Sequence, residues 1–416
     1  MVKMFWNVRV VIAVLFFCLM FDAGVTFGAD ANEQRFVQDR FAIGFWVDPP
    51  ADEKMEERYA EIAEANFTLV IGGFGAKKAE EIEEQIALCE KYGLVCIVGR
   101  GSKFDAEQLA EGDGVWGYSV RDEPGTADFA GLRESVDAIR KARPGRLAYI
   151  NLFPGYAPAE ILGAENYDEY VRRFVEEVGV DVLSMDHYPA MKPDADGRRG
   201  YCKDLEVMRK YSLEKDIPFW NFFNVMPFGP HFDPTEAQIR WQIYTSLAYG
   251  AKGVLYFCYW TPGGGEFPKG GAIIRQDGSR TRHYDQAKRI NLELKNLGPT
   301  LMELTSKEVI RIEPGERGLK ALRGGPVRSL SGGDYLIGVF EHSDGRRAVQ
   351  INNYEFAYTG WATVEFDAEA GEVVEVDPQS GKEIAVYDDS PLMEGLQLSL
   401  DAGMGRLFLM PKGSEK

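Results

Sequence analysis

Carboxylic acids follow two of the predicted strands and have the chemistry to exchange protons with a substrate. Residues 117–124 read Gly-Tyr-Ser-Val-Arg-Asp-Glu-Pro, so Asp122 and Glu123 stand where an apolar run ends. Asp186 ends another such run. A carboxyl group that aromatic neighbours shield from water has a raised pKa and can act as a general acid. We therefore predict Glu123 as an acid/base group and Asp186 as its catalytic partner.

Eight apolar runs of strand length alternate with helical patterns and must position these acids. The runs cover residues 41–47, 67–73, 95–101, 115–120, 147–153, 180–185, 218–225 and 253–260. This alternation predicts an α/β fold, a (β/α)₈ TIM barrel over residues 36–300. A doubly wound open sheet is the alternative, but no Gly-rich nucleotide loop follows the first run.

The pattern changes after a long helix that ends near residue 297. Short alternating segments are then separated by turn signals such as Ser-Asp-Gly at 343–345 and Gln-Ser-Gly at 379–381. This spacing is typical of small antiparallel sheets. We predict a C-terminal β-sandwich domain over residues 305–416.

Polar and aromatic side chains recur at the carboxyl ends of the predicted strands, where barrel active sites lie. Aromatic faces suit stacking on sugar rings, and amide, imidazole and hydroxyl groups suit sugar hydroxyls. Asp122 adjoins Glu123, and neighbouring strand residues point to opposite sides, so we predict a ligand role for it. The predicted substrate-binding residues are Trp46, Asp122, Asn151, His187, Tyr188, Asn221 and Trp260.

The Asp-Glu-Pro segment at 122–124 resembles the Asn-Glu-Pro-like acid/base motif of clan A glycoside hydrolases. Asp122 replaces the usual Asn, and Trp260 matches the aromatic that floors the sugar subsite in that clan. The resemblance covers about residues 41–297, and within it the chain is loosely similar to families 42 and 5. It implies a glycoside hydrolase that cleaves O-glycosidic bonds of a poly- or oligosaccharide, with Glu123 as general acid/base.

One catalytic group of that clan is missing from its usual place. The clan's nucleophile is a Glu at the end of strand seven, but residues 219–225 read Phe-Trp-Asn-Phe-Phe-Asn-Val. Glycoside hydrolysis needs two carboxyls, roughly 5 Å apart when retaining and roughly 6.5–9.5 Å apart when inverting. Asp186 is the first candidate for the second one, and Glu266 and Asp48 are weaker candidates.

The missing carboxylate keeps a second function open. A non-catalytic glycan-binding protein on a degenerate glycosidase barrel would retain its subsites and stacking aromatics without that group. A polysaccharide lyase is a third reading. It would act on uronic acids and would need more basic residues in the cleft than the strand ends supply.

Charge and composition exclude several partners and cofactors. The chain carries 65 acidic and 47 basic side chains, for a net charge of −18. Nucleic acids and anionic membranes require concentrated Lys and Arg, so the expected partner is a carbohydrate. Four His residues without metal-ligand spacing predict no metal and no cofactor.

The first 30 residues have the pattern of a signal peptide. Lys3 and Arg9 flank the start, an apolar run covers residues 10–20, and small residues follow at Gly28 and Ala29. We predict a secreted or periplasmic protein without a membrane span in its mature form, with an uncleaved anchor as the alternative. The later cysteines, 89, 96, 202 and 258, are even in number and permit disulfides, although two lie in predicted buried strands.

Overall fold

The computed structural model describes residues 35–413 except 100–107, 190, 193, 266, 268–270, 317–318, 321–324, 370, 391 and 393–394. The predicted signal peptide and Glu266 lie outside the described residues. No helix in the described part is long and apolar enough to cross a membrane. Free thiols are present at Cys89, Cys96, Cys202 and Cys258.

Eight parallel strands form two four-stranded sheets in the first two thirds of the chain. The strands are β1 (Ala42–Phe45), β2 (Leu69–Ile71), β3 (Val95–Val98), β4 (Val115–Asp122), β5 (Leu147–Asn151), β6 (Leu183–Asp186), β7 (Phe219–Asn224) and β8 (Gly253–Phe257). One sheet has the order β2-β3-β4-β5 and the other β1-β8-β7-β6. Each apolar run of the sequence overlaps one of these strands.

The two sheets meet at both pairs of edges. Between β1 and β2, the Thr68 amide donates to the Ile43 carbonyl at 2.9 Å. Between β5 and β6, the Leu152 amide donates to the Ser184 carbonyl at 2.8 Å. These are isolated bonds rather than ladders. The described strands therefore form two parallel sheets with adjoining edges, and no continuous closed barrel of ladders is present among them.

Helices follow the strands, as the alternation predicts. They are α1 (Met55–Glu64), α2 (Ala79–Lys91), α3 (Phe129–Ala142), α4 (Ala159–Leu162), α5 (Tyr167–Glu177), α6 (Arg198–Lys215), α7 (Glu236–Ala248) and α8 (Arg282–Met302). Side-chain caps fix some of their starts. The Asn166 side chain accepts from the Glu169 amide at 2.9 Å, which satisfies a free donor in the first turn of α5.

Alternate residues of the strands fill the space between the two sheets. Trp116 of β4, Tyr149 of β5 and Trp220 of β7 are buried there, and the two tryptophan rings stack at 6.1 Å. Each such side chain contributes roughly 1.5–3 kcal/mol through burial. Because successive inward residues are two positions apart, the next ones reach the carboxyl ends of the strands. Those residues include Asn151 and Phe222, which lie in the candidate site.

Antiparallel strands make up the C-terminal part of the chain, which confirms the predicted β domain. They are β9 (Leu304–Ile312), β10 (Leu319–Lys320), β11 (Val327–Leu330), β12 (Tyr335–His342), β13 (Arg347–Asn353), β14 (Gly360–Phe366), β15 (Val374–Val376), β16 (Glu383–Ala385), β17 (Leu396–Leu400) and β18 (Gly405–Met410). One sheet has the order β9-β12-β13-β18-β15-β16 and the other β10-β11-β14-β17. A shared apolar core includes Ile351 and Phe408 of the first sheet and Val364 and Leu398 of the second.

This β domain packs against helix α7. The side-chain amides of Gln350 and Asn352 donate to the Tyr244 carbonyl at 3.0 and 2.7 Å. All three residues are buried. The contact therefore joins the β domain to a helix that packs against β7.

Candidate active site

A cleft of about 470 Å³ opens at the carboxyl ends of the parallel strands. It brings together six of the residues predicted from the sequence. They are Trp46, Asp122, Glu123, Asn151, Asp186 and Tyr188. They come from β1, β4, β5 and β6 or from the residues directly after them, so four separated segments of sequence build one surface.

The end of β4 turns both of its acids toward the cleft. The register of β4 with β5 shifts between Ser119 and Arg121, and Glu123 leaves the strand with a φ of 48°. The Glu123 amide donates to the Asn151 carbonyl at 2.8 Å, which fixes this turn. The expectation that Asp122 and Glu123 face opposite sides is therefore corrected, since the strand alternation ends before Glu123.

Asn151 connects the acids of β4 and β6. Its side-chain Nδ2 donates to Asp186 Oδ1 at 3.1 Å and to Asp122 Oδ1 at 3.3 Å. Its Oδ1 accepts from the Ser184 hydroxyl at 3.0 Å, which sets the orientation of the amide. One buried amide thus holds two carboxyl groups of the cleft in fixed positions.

Burial raises the pKa values of the three carboxyl groups, and neighbouring carboxylates add to this for Glu123 and Asp186. Removal from water, together with the neighbouring Asp122, raises the pKa of Glu123 to about 7. Burial raises the pKa of Asp186 well above its usual value, and the charges of Glu123 and Asp122 add to this. Asp122 keeps access to solvent at the rim, yet the surrounding protein raises its pKa as well. Taken together, the three carboxyl groups therefore retain a proton near neutral pH.

Hydrogen-bond donors decide where the anionic charge is favoured. Asn151 donates to Asp122 and to Asp186, and the Tyr188 hydroxyl also stabilises the Asp186 anion. Glu123 has no such side-chain donor among the described contacts. Glu123, with a pKa of about 7, therefore keeps its proton in a substantial fraction of molecules near neutral pH and can act as a proton donor in this cleft.

Positive charge is scarce around these acids. Of the cleft-lining residues that the structure describes, none is Lys or Arg. His231 lines the cleft, but burial lowers its pKa to about 4 and leaves it neutral near pH 7. The Arg121 guanidinium lies on the exposed side, 3.7 Å from the Asp128 carboxylate. An anionic ligand would meet a repulsive field in this cleft.

Most of the remaining wall is aromatic and was missed by the sequence reasoning. The additional residues are Phe153, Tyr156, Phe222, Phe228, His231, Phe257 and Phe267. Phe222 and Phe257 end the inward-facing series of β7 and β8, so strand alternation carried a signal for them. The others lie on connecting loops, where no periodic pattern marks which side chains face the site.

Three predicted substrate ligands lie outside this cleft. The Asn221 amide is fully buried and donates to the Tyr201 hydroxyl at 2.6 Å, because its neighbours Trp220 and Phe222 occupy the inner side of β7. Trp260 packs under Arg58, whose guanidinium carbon lies 4.8 Å from the ring centroid.

His187 is the third of them. Its Nδ1 lies 2.6 Å from Asp204 Oδ2, and its ring lines a neighbouring cavity. We therefore propose no direct ligand role in the main cleft for Asn221, Trp260 or His187.

Asp48, the weaker catalytic candidate, fixes a loop. Its carboxylate accepts from the amides of Phe74 and Gly75 at 2.8 and 2.9 Å and from the Gln85 side chain at 3.0 Å. The loop places Phe74 against Trp46, with ring centroids 5.4 Å apart. Asp48 thereby supports a cleft aromatic from behind without lining the cleft.

Two further features bear on the choice of site. A cavity of about 630 Å³ lies at the opposite ends of the strands, where Arg35 pairs with Asp181 at 2.7 Å. Arg35 thus neutralises the Asp181 carboxylate. The amino ends of the strands in such folds contribute to stability rather than to catalysis. Within the described ranges, no group of three His, Cys, Asp or Glu side chains is arranged to hold a metal ion.

Comparison with known proteins shows a likeness in fold. No family model and no curated protein matches the chain. A family 42 β-galactosidase from G. stearothermophilus, solved as a catalytic mutant, matches with a TM-score of 0.58, 10% identity and coverage of 91% of this chain and 100% of that one. A β-galactosidase from Bacillus circulans sp. alkalophilus matches with a TM-score of 0.54, 11% identity and coverage of 89% and 99%.

Another match differs in length. A β-galactosidase from the psychrophilic Marinomonas ef1 gives a TM-score of 0.47 at 14% identity, with coverage of 62% of this chain and 60% of that one. This chain therefore spans about 60% of the length of that enzyme. At 10 and 11% identity, the first two matches show that the chain is similar to those β-galactosidases in fold.

Proposed function

We propose that this chain is an exported glycoside hydrolase that cleaves O-glycosidic bonds of a poly- or oligosaccharide, with Glu123 as general acid/base. The observation that carries the proposal is the pairing of Glu123, with a pKa of about 7, and the buried Asp186 in one cleft. A general acid works best when its pKa lies near the working pH. The glycosidase-like fold supports the same class of reaction.

In this mechanism Glu123 donates its proton to the glycosidic oxygen as the bond to the anomeric carbon breaks. Asp186 is the second carboxyl and acts as a base for water or as a nucleophile. The sugar acquires oxocarbenium character in the transition state. That positive charge relieves the repulsion between Asp122 and Asp186, so the carboxyl cluster binds the transition state more strongly than the substrate.

The cleft chemistry also favours a neutral sugar. Trp46 and Tyr188 supply aromatic surface, and the carboxylate of Asp122 supplies hydrogen-bond acceptors. A uronic acid would place a further anion beside three carboxyl groups. This argues against a lyase that acts on uronic acids.

The proposal includes the overall organisation of the protein. Residues 36–300 form a barrel domain whose eight strands follow one another around the ring, closed by edge contacts such as that between Leu152 and Ser184. Residues 305–416 form the β-sandwich domain, and residues 1–30 direct secretion or transport to the periplasm. Removal of those 30 residues is tested by the mass of the protein recovered outside the cytoplasm.

A non-catalytic glycan-binding protein is the second candidate. The observation that favours it is Phe222, which occupies the cleft at the end of β7 where the resemblance implies a catalytic Glu. In that case the cleft would bind sugars through Trp46 and Tyr188, and the carboxyl groups would serve only as hydrogen-bond acceptors.

A glycan panel separates these functions. The mature protein, Glu123→Gln and the control Glu134→Gln, a change on the exposed surface of α3, are incubated with neutral poly- and oligosaccharides, and reducing ends and product masses are followed. The proposal expects release of sugars by the wild type and the control but not by Glu123→Gln. Binding without hydrolysis by all three proteins would favour the second candidate. Equal hydrolysis by all three would remove Glu123 from the mechanism.

A further inference from the structure

A second cavity adjoins the carboxyl-lined cleft. Its volume is about 800 Å³, which lies within the range of roughly 300–1,000 Å³ usual for small-molecule sites. Both spaces are lined by Tyr156 and Ala157, on the loop that follows β5. Tyr156 is more than half exposed and forms the partition between them. A ligand longer than the cleft would cross this partition.

A buried His-Asp pair forms the floor of the second cavity. His187 Nδ1 lies 2.6 Å from Asp204 Oδ2, and the same oxygen accepts from the Gly155 amide at 2.7 Å. A Cβ atom on Gly155 would lie 2.2 Å from Asp204 Oδ1, so only glycine allows this close approach. The carboxylate therefore binds the Nδ1–H tautomer of His187 and holds the start of the Tyr156 loop.

The other ring nitrogen of His187 is left with an open acceptor site. His187 is only 4% exposed, and its ring is held edge-on between Tyr156 and Tyr201, at centroid distances of 4.9 and 5.3 Å. Among the described contacts, Nε2 has no hydrogen-bond partner. An unpaired acceptor in a polar cavity requires a donor, and sugar hydroxyls are donors of suitable size.

The remaining wall carries three carboxylates, and two of them have a basic partner. Lys210 lies 2.8 Å from Asp168 and Arg198 lies 2.7 Å from Asp196, and Glu165 and the exposed Lys203 add charges of opposite sign. Carboxylates and ammonium groups on the same wall suit a ligand with many hydroxyl groups and no net charge. The cavity thus differs from the cleft, where the described lining has acids without Lys or Arg.

We propose that the cavity behind Tyr156 is a second sugar subsite, in which His187 Nε2 accepts a hydrogen bond from a hydroxyl of a neutral oligosaccharide. The subsite rests on the proposed function, because the same chain must place another sugar unit in the carboxyl-lined cleft. It makes the protein selective for chains that extend beyond the cleft, and it makes His187 and Lys203 determinants of chain length.

The test measures binding as a function of chain length. Oligosaccharides of two to six units from β-1,4-galactan, xylan, cellulose, mannan and α-1,4-glucan are titrated calorimetrically into Glu123→Gln, which removes turnover. The same titrations are made with His187→Ala and Lys203→Ala in that background. Lys203 is exposed, so Lys203→Ala still tests the subsite if the buried His187 variant does not fold. Lys295→Ala, an exposed change on α8, is the control.

We expect affinity in one series to increase at least tenfold from the dimer to longer members. In the His187 and Lys203 variants, affinity for the longer members should be at least fivefold weaker than in Glu123→Gln alone, while affinity for the dimer should be unchanged. Binding that stays constant beyond the dimer, or an increase that both variants and the control share equally, overturns the subsite and leaves the proposed function standing. A protein that binds no member of any series overturns both.

Discussion

Glu123→Gln should make the protein more stable at alkaline pH, and this effect does not depend on knowing the substrate. The folded protein raises the pKa of Glu123 from 4.5 to about 7 through burial and the neighbouring Asp122. Between these two values the unfolded chain binds fewer protons than the folded one. The free energy of unfolding therefore falls as pH rises through this window, and the loss is complete above about pH 7.

The size of the effect follows from the shift. A change of about 2.5 pKa units corresponds to at most about 3.4 kcal/mol, at roughly 1.36 kcal/mol per unit. Glu123 retains solvent access, and its ionisation depends on the charge of Asp122, so about 1–2 kcal/mol is the expected loss. Gln has the same shape and no charge, so the variant avoids that loss.

Denaturant unfolding at about pH 4.5 and about pH 8 measures this directly. The free energies of unfolding of wild type and Glu123→Gln should agree near pH 4.5, and the variant should be more stable by about 1–2 kcal/mol near pH 8. Glu134→Gln, on the exposed surface of α3, should follow the wild type at both values. A constant difference between Glu123→Gln and wild type across the pH range would show that Glu123 is not held in an unfavourable ionised state.

Three further predictions concern the same cluster. The value of kcat/KM should fall as pH rises through about 7, because Glu123 loses the proton that it donates, and a rate that is flat from pH 5 to 9 would contradict this. Asn151→Ala should reduce the free energy of unfolding by about 1–3 kcal/mol, since Asp122 and Asp186 both lose a donor, and a change below about 0.5 kcal/mol in denaturant unfolding would refute the role of that amide. Aryl glucosides should bind at least tenfold more tightly than the matching glucuronides in competition assays, with a preference that weakens in salt; equal binding would mean that the acids do not act on the ligand.

Much of the fold could be predicted because buried residues recur along the sequence with the spacing of strands and helices. The run 147–153 is apolar except for Asn151, and each of the eight runs overlaps a strand of the two parallel sheets. The turn signals after residue 305 likewise predicted the antiparallel sheets. The sequence predicts a closed ring, whereas the described ladders stop at the edges near Thr68 and Leu152, where isolated bonds take over.

The site was predictable where side chains end a strand and much less so beyond it. Glu123 and Asp186 line the same cleft because strand ends converge in parallel sheets, although Glu123 reaches it through a positive φ that alternation does not predict. Asn221 was misplaced because a strand in which every residue is buried does not reveal which side faces inward. Tyr156 and Phe267 were missed because loop residues have no period.

The most direct test of the central claim is the dependence of cleavage on the leaving group. On aryl glycosides of the sugar identified by the panel, Glu123→Gln should cleave the dinitrophenyl compound with nearly the wild-type kcat/KM, because that group leaves without a proton and kcat/KM reports the step that expels it. It should lose about 10²–10⁴-fold on the phenyl compound, whose departure needs one. An equal loss on both compounds, or no loss on either, would show that Glu123 does not donate the proton.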